Sequence, residues 1–447
     1  MSRVFLLAAA LTLAAQQDPL QRILNEATGV IELPPGLVEV REELIIPEGV
    51  RELEIRGAPQ GTTLRASEDF RGRAILTCRH ATAIRFRDFT IDGNRQALQR
   101  PLDLPPDDAV LAERYPNNGL LLDSVRSVTV SGVRFREMAG FAVLVVRSQD
   151  VVLERLEVED SGSRKADGAN NATGGVLLSE GTLGFEVRDS LFRNIYGNAV
   201  WTHSVYASPR NRHGRIHHNR FEEIGRDAIQ IGHASSVRVE RNTGKRIGYP
   251  VEAVDVEGGG TPVALDTAGD VDHSIYAENS FEEVNGKCID LDGFHDGEVH
   301  ANTCINQGAA EDYPFGHYGI VMNNANPDME PVNVSIAGNV IDGTKFGGIF
   351  VIGSGHRVTG NRLTNLNKAG CHESGTRFGC LSFPAEPDLL RTGIYLGSGA
   401  ERPAVTRDNV VEGNEISGQG MSTYCIGFAP GIRPVENRVG DNQCRDH

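Results

Sequence analysis

The sequence is short of several features that define common protein classes. It has one tryptophan and five methionines among 447 residues, and no apolar run after residue 15 approaches membrane-spanning length. A transmembrane helix needs about 20 predominantly apolar residues, so we expect no membrane anchor. The net charge is −16, and no cluster of Lys and Arg is long enough to follow a phosphate backbone. Nucleic acid is therefore not expected as a partner.

The first fifteen residues have the pattern of a secretory signal peptide. Residues 1–3 form a short positive start, and residues 4–15 are mostly apolar and end in small side chains before polar Gln16. The apolar run is too short to span a bilayer. We expect residues 1–15 to be removed, and the mature chain to be secreted or periplasmic.

The seven cysteines fit an exported chain in an oxidising compartment, and none has the CxxC spacing of a zinc site. The candidate pairs are Cys288 with Cys304, Cys371 with Cys380, and Cys425 with Cys444. The second pair would close a surface loop and the third would hold the C-terminus. The first pair falls in neighbouring repeats and either bonds or packs. Cys78 is left over.

A repeat near 22 residues extends along most of the chain. An Asn, or a residue in its place, is followed by an apolar residue two positions later. The series is Asp88, Gly132, Arg155, Asp189, Asn219, Asn242, Asn279, Asn302, Asn339, Asn361, Asn414 and Asn437. The shortest steps are 22 or 23 residues, and the longer steps fit the same unit with inserted loops. Leucine-rich repeats share the period, but their Leu frame is absent here.

Each repeat contains short segments of alternating polarity, such as residues 236–240 and 332–336. Asn tolerates the left-handed conformation of a sharp turn, and stacked Asn side chains can hydrogen-bond along a column. Residues 20–27 have apolar positions at helical spacing, which predicts a short helix covering the N-terminal end. The sequence thus predicts an all-β fold, a right-handed parallel β-helix of about 12 rungs forming one domain over residues 16–447.

The signal peptide, the N-terminal cap, the 22-residue rungs and the segment Thr90-Ile91-Asp92-Gly93-Asn94 together resemble the pectate-lyase-like β-helix superfamily. That resemblance implies the β-helix fold and a carbohydrate as the partner. The superfamily includes polysaccharide lyases, polygalacturonase-type hydrolases, epimerases and phage tailspikes, so the fold alone does not fix the activity.

Aligning the strand after each turn on a small residue before an aliphatic one predicts which side chains face outward, because side chains alternate along a strand. The first outward column is Trp201, Gln230, Asp255, Asp290, Val321, Phe350 and Tyr395. The second is His203, Gly232, Glu257, Asp292, Asn323, Ile352 and Gly397. Four acids therefore form a patch between aromatic side chains.

This patch predicts a carbohydrate-binding groove, with Asp255, Glu257, Asp290 and Asp292 as the catalytic candidates. Like charges about 5 Å apart repel by about 3 kcal/mol, so either some carboxyls stay protonated or a cation compensates them. A protonated carboxyl beside an ionised one is what cleavage of a glycosidic bond requires. The predicted substrate-binding residues are Trp201, His203, Gln230, His295, Asn323, Phe350 and Tyr395.

The segment 290–297 combines acids, a glycine turn and His295. Its clustered oxygen ligands make Ca²⁺ a candidate, although the spacing differs from an EF-hand and the sequence requires no cofactor. No metal-ligand set can be assigned, and the oligomeric state is not indicated.

Three functions remain open from the sequence. The first is hydrolysis of a polysaccharide or oligosaccharide, with Asp290 and either Asp255 or Asp292 as acid and base. The second, which the superfamily resemblance implies, is a calcium-dependent lyase or epimerase acting on a uronic-acid polymer, with Lys287 or Arg226 just before the groove strands as the base. The third is a surface protein that binds carbohydrate without turnover.

Overall fold

The structure, a computed structural model, describes residues 19–26, 28–106, 108–256, 260–326, 329–371, 380, 386–399 and 402–447. These residues form a right-handed parallel β-helix, and every pairing between successive rungs is parallel. The predicted fold class is confirmed. The predicted signal peptide, residues 1–15, lies outside the described residues.

Each turn of the helix visits three sheets. The first, which we call the groove sheet, consists of Gly36–Ile46, Thr62–Arg79, Asn118–Asp123, Val143–Val146, Val176–Ser179, Val200–His203, Ile229–Ser235, Val263–Asp272, Lys287–Asp290, Ile320–Val321, Ile349–Val351, Ile394–Leu396 and Ile426–Phe428. These thirteen stacked strands slightly exceed the predicted number of rungs.

The second sheet consists of Gly29–Glu32, Arg51–Arg56, Thr82–Arg87, Arg126–Ser131, Gln149–Glu154, Leu183–Arg188, Arg215–His217, Arg238–Glu240, Ile275–Ala277, Glu298–His300, Ser335–Ala337, Arg357–Thr359, Val410–Glu412 and Arg438–Val439. The third consists of Thr90–Asp92, Arg134–Arg136, Glu157–Ser161, Leu191–Ile195, Arg220–Ile224, Thr243–Ile247, Ser280–Val284, Thr303–Ile305, Val340–Asp342, Arg362–Leu366, Glu415–Gly418 and Gln443–Asp446, together with the first halves of the two longest groove-sheet strands. Two short strands, Asn211–Arg212 and Phe294–His295, lie at the bend after the groove sheet.

Helices are few among the described residues. Three are α-helical, Pro19–Asn25, Arg95–Leu98 and Leu111–Arg114, and three are 3₁₀ turns, Val251–Ala253, Ala310–Asp312 and Pro434–Glu436. None of these helices has both the length and the apolar character needed to cross a membrane.

The first helix caps the N-terminal end of the core, as the sequence predicts. Leu20 and Leu24 are buried in the apolar core. The Gln21 side chain pairs with the open edge of the first groove-sheet strand, because its Nε2 donates to the Ile45 carbonyl at 2.8 Å and its Oε1 accepts from the Ile45 amide at 2.7 Å. The otherwise bare end of the solenoid is therefore covered.

A buried ladder of asparagines links the rungs between the second and third sheets. In each step, Nδ2 of one Asn donates to Oδ1 of the Asn on the next rung, at distances between 2.8 and 3.0 Å. The members are Asn219, Asn242, Asn279, Asn302, Asn339, Asn361, Asn414 and Asn442. The predicted hydrogen-bonded column is confirmed.

The backbone of this turn differs from the prediction. The left-handed conformation belongs to the residue before the ladder position, for example Arg241 (φ 55°) and Glu278 (φ 56°). The first four members of the predicted series are themselves such left-handed residues, namely Asp88, Gly132, Arg155 and Asp189. Asn437 belongs to a neighbouring column, where it accepts from Asn409 at 2.9 Å. The period of the repeat was predicted correctly. The predicted series, however, uses the left-handed residue of the turn on its first four rungs and the ladder Asn after it on later rungs.

Substitution of a central ladder residue should be costly for stability. In Asn302→Ala, the Tyr276 carbonyl and the Asn279 amide both lose a buried partner. Each orphaned group costs about 1–3 kcal/mol, so we expect a decrease of roughly 3 kcal/mol in the free energy of unfolding. Denaturant titration measures this change. Asn25→Ala, at an exposed position, is the control and should change the free energy of unfolding by less than about 0.5 kcal/mol. A loss in Asn302→Ala no larger than the loss in this control would show that the ladder adds no stability.

Three disulfides close the predicted pairs, Cys288–Cys304, Cys371–Cys380 and Cys425–Cys444. Cys78 is the remaining thiol and is buried in the core. Burial raises the pKa of this thiol to about 12, so it stays protonated and unreactive.

Candidate functional site

The outward face of the groove sheet follows the predicted alternation, with one difference in register. Residues 200 and 202, 229 and 231, and their counterparts on other rungs point into the core. The strand that pairs with Ile229–Ser235 is Val263–Asp272, in which Gln230 lies beside Asp266 and Gly232 beside Ala268. The observed columns are Trp201, Gln230, Asp266, Asp290, Val321, Phe350, Tyr395 and His203, Gly232, Ala268, Asp292, Asn323, Ile352, Gly397.

Asp255 does not occupy the predicted position in the column. It follows the 3₁₀ turn Val251–Ala253 in the insertion before the strand, and its Oδ2 lies 2.5 Å from Lys165 Nζ. Glu257, its predicted neighbour, lies outside the described residues. The predicted placement of Asp255 was wrong, and Asp266 takes its place.

The centre of this face is a groove with two connected compartments. The acidic compartment, about 270 Å³, is lined by side chains that include Asp227, Asp266, Asp290, Asp292 and Lys287. The aromatic compartment, about 330 Å³, is lined by side chains that include Trp201, His203, Tyr206, His233 and the prolines at 105 and 106. Arg226, Gln230, Asn326 and Arg402 border both. The two cavities are thus parts of one groove.

Asp290 lies at the floor of the acidic compartment, paired with a lysine. Lys287 Nζ contacts Asp290 Oδ2, and both side chains are largely buried. Asp290 Oδ1 is also buried and has no hydrogen-bond partner among the described residues. A carboxylate that pairs with a cation through one oxygen and leaves the other unsatisfied is unusual in a protein interior and marks Asp290 as a candidate functional group.

Asp292 lies two positions further along the same chain, above the pair. Its Oδ1 accepts from the backbone amides of Asn323 and Asn324, at 2.9 and 3.1 Å. With its amide nitrogen turned toward the carboxyl, Asn323 also donates to both oxygens, at 3.0 and 3.2 Å. Burial and the negative charge of Asp290 nevertheless raise the pKa of Asp292 to about 7. The hydrogen bonds from the backbone and side chain of Asn323 fix the orientation of the Asp292 carboxyl.

The other two carboxyls of the compartment favour their protonated forms at mildly acidic pH. Burial, together with the charges of Asp227 and Asp290, holds the pKa of Asp266 well above its ordinary value, and Gln230 Nε2 donates to its Oδ2 at 2.6 Å. Burial raises the pKa of Asp227 to about 6, against the opposing effect of Arg226. For Lys287, burial favours the neutral amine, but Asp290 and Asp292 prevail and its pKa is raised. The ammonium therefore stays charged and partly neutralises the carboxyls.

The aromatic compartment brings together three of the predicted binding residues, Trp201, His203 and Gln230. The Trp201 and His203 rings lie 5.3 Å apart in an edge-on arrangement, and Tyr206 and His233 form a second ring pair at 4.5 Å. Burial lowers the pKa of His233, so this imidazole is neutral near pH 7. The second outward column is small at Gly232 and Ala268, which deepens the cavity between His203 and Asp292.

Of the four other predicted binding residues, Asn323 lines neither compartment but contacts Asp292, and three are not brought to the groove. Phe350 and Tyr395 point outward as predicted but are buried, and the Tyr395 hydroxyl donates to Glu386 at 2.7 Å. His295 lies at the bend after the groove sheet and hydrogen-bonds Asp270 and Asp296 at 3.0 and 2.9 Å. Neither compartment is lined by these three side chains in the described part of the chain.

The described acids that could hold calcium are already paired with basic side chains. Asp270, Asp272 and His295 have potential ligand atoms within 4.8 Å of one another, but Arg210 contacts both carboxylates, at 3.0 and 2.9 Å. In the acidic compartment, the Lys287 ammonium occupies the position that a cation would take beside Asp290. A divalent ion would have to displace one of these basic groups.

Sequence reasoning missed Asp266 and Asp227, although a signal for Asp266 existed. Gln230 precedes Asn242 by 12 residues and Asp290 precedes Asn302 by 12. Asp266 precedes Asn279 by 13 residues, whereas Asp255 precedes it by 24. Counting back from the Asn ladder would therefore have selected Asp266.

The insertion that carries Asp255 also walls the groove. Lys165 holds Asp255, and the backbone N–H of Asn170 donates to the Ala253 carbonyl at 2.8 Å. The same insertion continues to Gly260 and Thr261, which line the acidic compartment. Asp255 thus lies where it can fix the position of a wall.

We expect Asp255→Asn to raise KM a few-fold while kcat stays within twofold of the unchanged protein, because the wall loosens and the acids stay in place. Steady-state kinetics on the carbohydrate that the protein cleaves measures both constants. Lys165→Met should give the same pattern. A large decrease in kcat with unchanged KM would contradict a role in positioning.

The chain is similar to known right-handed β-helix proteins. The model of the family described as "Right handed beta helix region" matches residues 113–267, about a third of the chain. The fold is similar to PfbA, a surface adhesin of Streptococcus pneumoniae, at 14% identity and a TM-score of 0.55, covering 75% of this chain and 82% of that one. It is similar to a family 28 exopolygalacturonase of Yersinia enterocolitica at 12% identity and a TM-score of 0.55, covering 76% and 70%.

A third similar structure is DFA-IIIase from Arthrobacter chlorophenolicus A6, at 12% identity and a TM-score of 0.50, covering 92% of this chain and 87% of that one. No curated protein sequence matches the chain. The chain is thus a right-handed parallel β-helix protein, of a fold shared by adhesins and carbohydrate-active enzymes. At these identities the likeness concerns the fold alone, and the activity depends on the side chains of the groove.

Proposed function

We propose that this chain is an exported carbohydrate-active enzyme that cleaves glycosidic bonds of a polysaccharide or oligosaccharide by carboxylate acid/base catalysis. The observation that carries the proposal is the pairing of two unlike carboxyls in one cavity. Asp290 contacts the Lys287 ammonium, while burial and Asp290 raise the pKa of Asp292 to about 7. One carboxylate and one carboxylic acid are the two groups that this chemistry needs.

The roles follow from the two environments. Asp292 protonates the leaving oxygen, since it keeps its proton up to near neutral pH. Asp290 acts as the negative partner at the reacting carbon, either directly or through a water molecule. Asp266, kept protonated beside Asp290, donates to a sugar hydroxyl. The aromatic compartment binds the adjoining sugar units on Trp201 and Tyr206.

Two alternatives make different predictions. In a lyase or epimerase a basic group removes a proton from the sugar, but the raised pKa of Lys287 makes this lysine of the acidic compartment a poor proton acceptor. A protein that only binds carbohydrate would tolerate the loss of Asp290. The three disulfides are consistent with an exported protein in all three cases.

The test is to incubate the mature protein with pectic, alginate, xylan and arabinan substrates, with and without calcium. Reducing ends and the ultraviolet absorbance of unsaturated products are followed together. New reducing ends without new absorbance, lost in Asp290→Asn, are the expected result. Absorbance that rises with the reducing ends only when calcium is present would replace the proposal with the lyase. Binding without cleavage would replace it with the third function.

A further inference from the structure

The groove is closed at its N-terminal end by an insertion. Leu121, Leu144 and Leu177 stand in the same outward column as Trp201, yet they are 4%, 0% and 0% exposed. They pack in a second apolar cluster, outside the β-helix core, with Leu111 and Tyr115 of the insertion between residues 98 and 116. This insertion therefore covers the groove sheet up to Trp201.

The N-terminal wall is anchored by specific hydrogen bonds. The Tyr115 hydroxyl donates to Asn171 Oδ1 at 3.0 Å, and Asn171 Nδ2 donates to the Leu102 carbonyl at 2.5 Å. Leu104 and the two prolines after it then form the edge of the aromatic compartment. A wall held to a neighbouring loop by buried polar contacts has a fixed position.

A second wall closes the C-terminal end. Val321, Phe350 and Tyr395 continue the outward column beyond Asp290, and they are 0%, 4% and 1% exposed. Glu386 accepts hydrogen bonds from the Tyr395 hydroxyl at 2.7 Å and from Ser398 at 3.1 Å. The Tyr318 hydroxyl donates to the Leu389 carbonyl. Residues 386–391 are thereby fixed over the aromatic side chains.

The open window between the walls is short. Four rung spacings separate Trp201 from Val321, which is about 19 Å at the usual distance between strands. Gly260 and Thr261 border the window on one side, and Asn324, Asn326 and Arg402 border it on the other. The acids lie one rung from the C-terminal wall, whereas the larger compartment lies on the N-terminal side. A polymer cannot run along the axis past both walls.

We propose that the site is a pocket for a chain end or a short oligosaccharide, and that the enzyme releases small products stepwise from one end of its substrate. This inference rests on the proposed function, because it assigns the substrate form that the same acids act on. The aromatic compartment receives the terminal sugars, and the acidic compartment holds the bond to be cleaved. Internal bonds of a long chain do not reach Asp290 and Asp292.

The test uses oligogalacturonides, xylo-oligosaccharides and arabino-oligosaccharides of two to ten sugar units, each labelled at the reducing end. In the series that is cleaved, early products should differ from the substrate by one fixed small unit, and products of mid-chain length should appear only later. Affinity for the Asp290→Asn variant, measured by calorimetry, should stop increasing beyond about four units. Random mid-chain cleavage, or affinity that grows with every added unit, would overturn this inference alone.

Loosening the walls supplies a second readout. Tyr115→Phe removes the contact with Asn171, and Glu386→Gln weakens the contact with Tyr395. Either change should raise the early share of mid-chain products at least twofold. Tyr313→Phe, which removes a buried hydroxyl bonded to Glu283 outside the groove, is the matched control. No binding and no cleavage in any series would overturn the proposed function and this inference with it.

Discussion

Asp290→Asn should reduce kcat by about 10³-fold, because a positioned acid or base contributes roughly 10²–10⁴-fold. The change keeps the size of the side chain but removes its negative charge, so Lys287 remains in the cavity without a full partner. KM should change much less than kcat, since the aromatic compartment is untouched. Steady-state kinetics with reducing-end detection measures both constants.

Asp123→Asn is the matched control for this prediction. Asp123 stands in the same outward column as His203, three rungs toward the N-terminus, and its carboxylate pairs with Arg147 at 2.9 Å. It lines neither described compartment. Its loss should leave kcat unchanged. If folded Asp290→Asn keeps more than a tenth of the turnover, Asp290 is not the partner of the acid.

The fold could be predicted because the period of the repeat is a physical requirement. One rung must return to the same column, and its inward residues must be apolar, so the pattern survives wherever loops are inserted. The register failed at one rung because the 37-residue step between Asn242 and Asn279 contains two segments with the same small-aliphatic pattern. Burial of Leu265 and the pairing with Ile229 select the second segment, and Asp266 with it.

Outward orientation proved a weaker guide to exposure. Phe350 and Tyr395 face away from the core as their alternation requires, yet both are buried, with Phe350 against the Tyr318 and Tyr395 rings and Tyr395 bonded to Glu386. Alternation along a strand reports the local direction of a side chain, whereas burial of its outward face depends on tertiary contacts with other segments. Phe350 and Tyr395, which the sequence predicts to bind sugar, are therefore buried in the wall at the C-terminal end of the groove.

A cluster of acids needs either protonation of some carboxyls or a compensating cation, and the acidic compartment has both. Lys287 lies three residues before Asp290 and supplies the cation. The raised pKa values of Asp227, Asp266 and Asp292 supply the protonation. Contact with the Lys287 ammonium, rather than the number of acids, distinguishes Asp290 from the other three carboxyls.

The turnover number should fall as the pH rises through about 7. Asp292 acts as the acid only while protonated, and its pKa of about 7 places the loss of its proton in that range. A pH–kcat profile should therefore show an alkaline limb centred near neutrality, with a tenfold decrease for each further pH unit. Asp292→Asn should be at least 10²-fold slower and should lack this limb. An unchanged limb in that variant would assign the acid to another group.

The same carboxyl links folding to pH, which gives a check that is independent of activity. Its pKa is raised in the folded chain from an ordinary value of 3.8, so the folded state binds the proton more tightly than the unfolded state. The stabilisation from that proton is fully present below about pH 4 and is lost as the pH rises toward 7. Asn carries no charge to bury, so Asp292→Asn should be more stable than the unchanged protein above pH 7, by about 4 kcal/mol. At pH 4 the two free energies of unfolding should agree, and a gap that stays constant with pH would mean that Asp292 titrates normally in the folded chain.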